Sequence, residues 1–223
     1  MLMSASIYGA DNEIYIDQSG ATANIDLEQL GSANIIGGLN SVAGSMTALD
    51  LDGGTQTIDI NQIGASNKFL GDITADNFVG FWEFDGSTNV FNIQVDPTNT
   101  YGADNSDVNV DVTGNSNTFT LNQAMVAQAT TLDLDWIING SSNSITAAID
   151  IDAATNYMDV DGSDNAVTYD GDGYAGGYFW LDHTGGQRTF NIQQLSTQDN
   201  DWLKIISIGG NASSTVCVIQ NDQ

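Results

Sequence analysis

The chain has 223 residues, of which 41% are hydrophobic, and a formal charge of −26 set against only three basic side chains, Lys68, Arg188 and Lys204. So much apolar sequence is unlike a disordered acidic tail, and so negative a surface repels phosphate backbones and anionic lipid, which argues against nucleic-acid and membrane partners. No stretch approaches the ~20 apolar residues of a membrane span, and residues 1–8 hold no Lys, Arg or long apolar run, so a soluble chain without a secretory signal is expected.

Along the chain, Gly9, Gly20, Gly31, Gly53, Gly64 and Gly86 share a lattice of eleven residues, broken only by Val42 and Ala75. Most open the tetrad Gly-x-x-Asn: Gly9–Asn12, Gly31–Asn34, Gly64–Asn67 and Gly86–Asn89, with Gly20 meeting Asn24 one place late. Glycine punctuation at a fixed period marks stacked supersecondary units. The tetrad returns at Gly114–Asn117, Gly140–Asn143 and Gly162–Asn165, after intervals of 28, 26 and 22 residues.

Between glycines, apolar residues alternate with polar ones, as in strands with one buried face. The first such run is Asn12, Ile14, Ile16 and Gln18; later come Leu49 and Leu51, then Phe91, Ile93 and Val95. Val108, Val110 and Val112 precede Gly114, and Phe119, Leu121 and Gln123 follow it. Leu132, Leu134, Trp136 and Ile138 lead into Gly140, and Met158 and Val160 into Gly162. On the opposite parity stand Asp50, Asp52, Asp111, Asp133, Asp135, Asp159 and Asp161, which must face outward if the aliphatics face inward. No helical period is sustained, and Pro97 fits a strand edge or corner.

These patterns predict an all-β fold: a β-solenoid of strand-turn-strand coils, about two strands per 22–28-residue coil. Roughly ten coils would make a rod of about 48 Å. Inward Gln and Asn would form amide ladders between coils. Residues 1–223 read as a single repeat domain, with regular 11/22-residue coils over 1–86 and longer, irregular coils with aromatic-rich insertions over 87–223.

The string Gln-x-Gly-x-x-Asn-x-apolar, seen at Gln62-Ile63-Gly64-Ala65-Ser66-Asn67-Lys68-Phe69 and at Gln29-Leu30-Gly31-Ser32-Ala33-Asn34-Ile35-Ile36, resembles the curlin repeat of bacterial curli fibres. Gln18-Ser19-Gly20-Ala21-Thr22-Ala23-Asn24 matches with one residue added, and the likeness covers roughly residues 10–70. It implies a stacked strand-turn-strand subunit of a structural assembly. Signal-less proteins with such repeats resemble virion proteins of tailed bacteriophages, so a capsid decoration, spike or fibre assembled in the host cytoplasm is the leading expectation. A secreted curli-like fibre subunit and a glycan-binding adhesin, extracellular or at the cell surface, are the alternatives.

Few residues point to chemistry. Asp159-Val160-Asp161-Gly162-Ser163-Asp164, continuing to Asp170-Gly171-Asp172-Gly173, could gather cations, Ca²⁺ included, but lacks EF-hand spacing. Diffuse cation binding is expected and no specific metal or cofactor. His183 is the single histidine, without a nucleophile-elbow motif, and no catalytic residue is assigned. Cys217, in Thr215-Val216-Cys217-Val218-Ile219, is expected to be a small buried hydrophobe. Tyr174, Tyr178 and Trp180, in a glycine- and aromatic-rich break of the repeat, are candidate contacts for a partner protein or glycan, as is the cluster Phe78, Phe81, Trp82 and Phe84. Copies of the chain and other structural proteins are the expected partners.

Overall fold

The computed structural model describes residues 2–8, 13–31, 34–37, 49–64, 66–75, 77–95, 105–123, 132–150, 153–173, 177–196, 201–210 and 213–222. They form twenty strands and no helix. In chain order these are β1 (Leu2–Tyr8), β2 (Glu13–Ile14), β3 (Asp17–Ser19), β4 (Thr22–Leu30), β5 (Ile35–Ile36), β6 (Leu49–Gly53) and β7 (Thr55–Ile63). Then follow β8 (Lys68–Ala75), β9 (Phe78–Asp85), β10 (Val90–Val95), β11 (Asp107–Thr113), β12 (Thr118–Gln123), β13 (Asp133–Asn139) and β14 (Ser144–Asp150). The last are β15 (Thr155–Asp161), β16 (Asn165–Gly173), β17 (Tyr178–Gly185), β18 (Arg188–Ser196), β19 (Trp202–Gly209) and β20 (Thr215–Asp222).

The strands divide into two parallel sheets. Sheet A runs β1-β4-β7-β9-β11-β13-β15-β17-β19; sheet B holds the other eleven, with β3 and β6 beside the short β2 and β5. From β6 onward successive strands alternate between sheets, and each pairs with its equivalent one coil away: the predicted β-solenoid. Sheet A counts nine rungs among the described residues, about 40 Å at strand spacing. The tally falls short of ten because coils stretch. Between β4 and β7 the register advances from Thr22 to Thr55, and the change from a 22- to a 33-residue step falls between β5 and β6.

Between the sheets lies one continuous apolar core. Sheet B contributes the column Phe69, Phe91 and Phe119, with ring centroids 5.6 and 6.2 Å apart. Sheet A answers with Trp82, Val110 and Trp136 in successive rungs, so each indole is separated from the next by a small residue. Phe69 meets Trp82 edge-on at 5.4 Å, and Phe91 meets Trp136 at 6.3 Å. Such alternation of bulk lets the layers interdigitate without voids. Leu132 and Leu134 are buried and Asp133 is exposed, as the strand parity requires.

One expectation about burial is overturned. Cys217 is exposed: it pairs in register with outward Asn191, while Val216 and Val218 align with core residues Phe190 and Ile192. The register with β18 sets its facing, since the run itself is apolar throughout. The aromatic cluster of β9 divides: Phe78, Trp82 and Phe84 are structural and lie in the core, and Phe81 points outward, 45% exposed.

Candidate functional site

The tetrads build one corner of the coil, the turn from sheet A into sheet B. Gly31, Gly64, Gly86, Gly114, Gly140 and Gly162 all have positive φ there. A Cβ on Gly64 or Gly86 would lie 1.4 Å from the glycine carbonyl oxygen of the preceding rung, so the column excludes any side chain. The third tetrad residue is also left-handed, at Ser66, Thr88, Ser116, Ser142 and Asp164, a demand that the sequence motif did not announce.

Asn34, Asn67, Asn89, Asn117, Asn143 and Asn165 are buried and face inward, while Gly9 and Asn12 lie outside the described residues. Asn34 donates its backbone N–H to Asn67 Oδ1, and the same bond links Asn67 to Asn89, Asn89 to Asn117, Asn117 to Asn143 and Asn143 to Asn165 at 2.7–3.3 Å. In the later rungs Nδ2 of Asn117, Asn143 and Asn165 donates back to the carbonyls of Gly86, Gly114 and Gly140. The asparagine ladder is therefore side chain to backbone. Among the described residues only Gln62, whose Nε2 donates to Gln29 Oε1 at 2.5 Å and to the Lys68 carbonyl, forms the amide-to-amide step expected from stacking.

Asn24 is not part of the corner. It lies on β4, exposed, with Ala23 buried beside it, because Gly20 closes a sheet-B strand at the opposite turn, where it meets Gly53. Gln18 is buried on β3. Beyond Asn165 the column changes character: Arg188 takes the asparagine place and donates from Nη1 to the Gly209 carbonyl at 2.9 Å.

The residues suspected of chemistry are dispersed or occupied. Asp159 and Asp161 stand on sheet A, Asp170 and Asp172 on sheet B, so the Asp-Gly run does not converge. No group of three potential metal ligands occurs among the described residues. His183 is fully buried, with Nε2 facing the Gly162 carbonyl at 3.2 Å and Nδ1 facing Ser207 Oγ at 3.1 Å. Burial lowers its pKa, and a neutral ring satisfies both contacts: Nε2–H donates to the carbonyl, and Nδ1 accepts from the hydroxyl. Tyr174 lies outside the described residues. Tyr178 is 45% exposed and stacks on Trp202 at 4.3 Å, while Trp180 meets Tyr157 and Trp202 edge-on and carries Lys204 Nζ 3.5 Å from its ring centroid.

The outer face of sheet A is where polar chemistry concentrates. Parallel register sets Asp59, Phe81, Asn109, Asp135, Tyr157 and Trp180 in one row, a rung apart. The adjoining row holds Glu83, Asp111, Ile137, Asp159 and Asp182. Asp59 to Tyr157 of the first row and Glu83, Asp111 and Ile137 of the second line a groove of about 360 Å³. Partial burial, then Asp26, raises the pKa of Asp59; partial burial, then Asp107, raises that of Asp135. The Tyr157 phenol is raised by burial and by Asp159, Asp182, Asp135 and Asp161. The sequence marks Phe81 as a candidate contact and Asp111, Asp135 and Asp159 as outward, but not their alignment, because the row exists only once coils of unequal length are brought into register.

Sheet B bears outward Asp17, Asp50, Asp52, Asp170 and Asp172 on other strands, but the outward residues of β10 and β12, Val90, Asn92, Gln94, Thr118, Thr120 and Asn122, are all uncharged. In the last described rung Leu203 and Ile205 are half-buried, and Val216 and Val218 are exposed. No protein-family model, curated protein or solved structure matches the chain.

Proposed function

We propose that this protein is a non-enzymatic structural component, an acidic β-rod built into an assembled particle, with a tailed-bacteriophage virion as the setting and copies of itself and other structural proteins as partners. The observation that carries this reading is the Asn–Gly corner. The buried asparagines of that corner are committed to joining one rung to the next, repeated over successive coils, instead of converging on a reacting centre. Buried hydrogen-bonded networks of this kind make a rigid, single-register scaffold. The half-exposed apolar residues of β19 and β20 offer a surface that a further rung, from this chain or another, would cover.

The test is to purify particles from lysed host cultures and identify their proteins by mass spectrometry, with the purified chain examined by sedimentation. Stoichiometric recovery in particles, with concentration-dependent association, is expected. Recovery only as a free monomer would end this reading. The secreted curli-like fibre subunit is the second reading, favoured by the parallel in-register stack; its signature is fibrils from the isolated chain with a meridional reflection near ~4.7 Å.

A further inference from the structure

We propose that the groove on the outer face of sheet A binds a linear oligosaccharide that carries no acidic groups. Phe81 and Tyr157 stand in the same row, three rungs or about 14 Å apart, with Asn109 and Asp135 between them. Carboxylates and amides crowd the outward places around this groove, yet Phe81 and Ile137 keep 45% and 44% of their surface in water. Neither helps close the core. Apolar surface held out between acids marks a surface meant to be covered.

The chemistry of the groove alternates as a sugar chain does. A pyranose offers an apolar C–H face, which packs on aromatic rings, and an equatorial rim of hydroxyls, which donate to carboxylates. Phe81 and Tyr157 supply the rings, and Asp59 and Asp135 beside them supply the acceptors. A pyranose unit spans close to one rung, so successive units fall against successive rungs. At about 360 Å³ the groove falls at the lower end of small-ligand sites, which suits a short glycan segment. With a chain charge of −26 and four carboxylates at Asp59, Glu83, Asp111 and Asp135, uronate or sulfated polymers are repelled. Neutral and amino sugars remain. The site does not depend on the structural role proposed above, since a rod of either provenance would carry it.

The full chain is to be screened on a glycan array holding neutral, amino-sugar and uronate oligosaccharides, and the best binder titrated by calorimetry beside an oligolysine peptide. Binding to neutral or amino sugars is expected, weakened about tenfold by Phe81→Ala and similarly by Tyr157→Ala. Both variants should keep the parent melting temperature within a few degrees. Tyr178→Ala, outside the groove, should bind as the parent does. A blank array, binding to oligolysine or uronates alone, or sugar binding that survives both groove variants overturns the proposal.

Discussion

Asn117 joins three rungs through one side chain and one amide. Its Oδ1 accepts from the Asn89 N–H at 2.7 Å, its Nδ2 donates to the Gly86 carbonyl at 3.2 Å, and its own N–H goes to Asn143 Oδ1 at 2.9 Å. Asn117→Ala would strand a buried donor and a buried acceptor at once, so a loss of about 2–4 kcal/mol is expected in chemical denaturation. Asn24→Ala, exposed on β4, should change stability by less than about 0.5 kcal/mol. Equal effects at the two sites would show that the corner bonds carry no special weight. The contrast separates two asparagines that the tetrad pattern treated alike. Spacing alone could not tell which end of the coil a glycine closes, and Gly20 and Gly31 occupy opposite ends.

At the scale of strands, parallel register places like charges side by side. Asp107 of β11 pairs with Asp133 of β13, and partial burial, then Asp135, then Asp107 raise the Asp133 pKa above its ordinary 3.8. A raised folded pKa means that the stability this group contributes is fully present below 3.8 and is lost as pH rises through the folded value. Asp133→Asn does not titrate, so at pH ~7 it should be the more stable protein by under about 1 kcal/mol, the difference vanishing in strong acid. Melting curves against pH check this, and a variant destabilised at neutral pH would contradict it. Strand identity and facing were legible wherever two-residue alternation ran long, as from Leu132 to Ile138, because the pleat leaves no other assignment. Cys217 shows the limit: in Val216-Cys217-Val218-Ile219 every residue is apolar, so the pattern carries no phase, and the register with β18 decides it. The groove was illegible for a related reason. Phe81 and Tyr157 are far apart in the chain, and their alignment depends on the lengths of the intervening coils.

Over the whole molecule, carboxylates line both sheets and are densest on sheet A. Carboxylates from Asp26 to Asp182 crowd the outer face of sheet A, where neighbouring rungs lie ~4.8 Å apart and each close pair repels by roughly 1 kcal/mol in water. Added NaCl should therefore raise the melting temperature, most steeply at the low-salt end where the screening length shrinks fastest. A melting temperature indifferent to salt between ~10 mM and ~1 M would mean that the repulsion is already relieved. The threonine- and asparagine-bearing stretch of sheet B takes no part in that repulsion. The protein is thus an acidic rod with one neutral window, between Val90 and Asn122 on sheet B. Its own copies can approach one another most closely there.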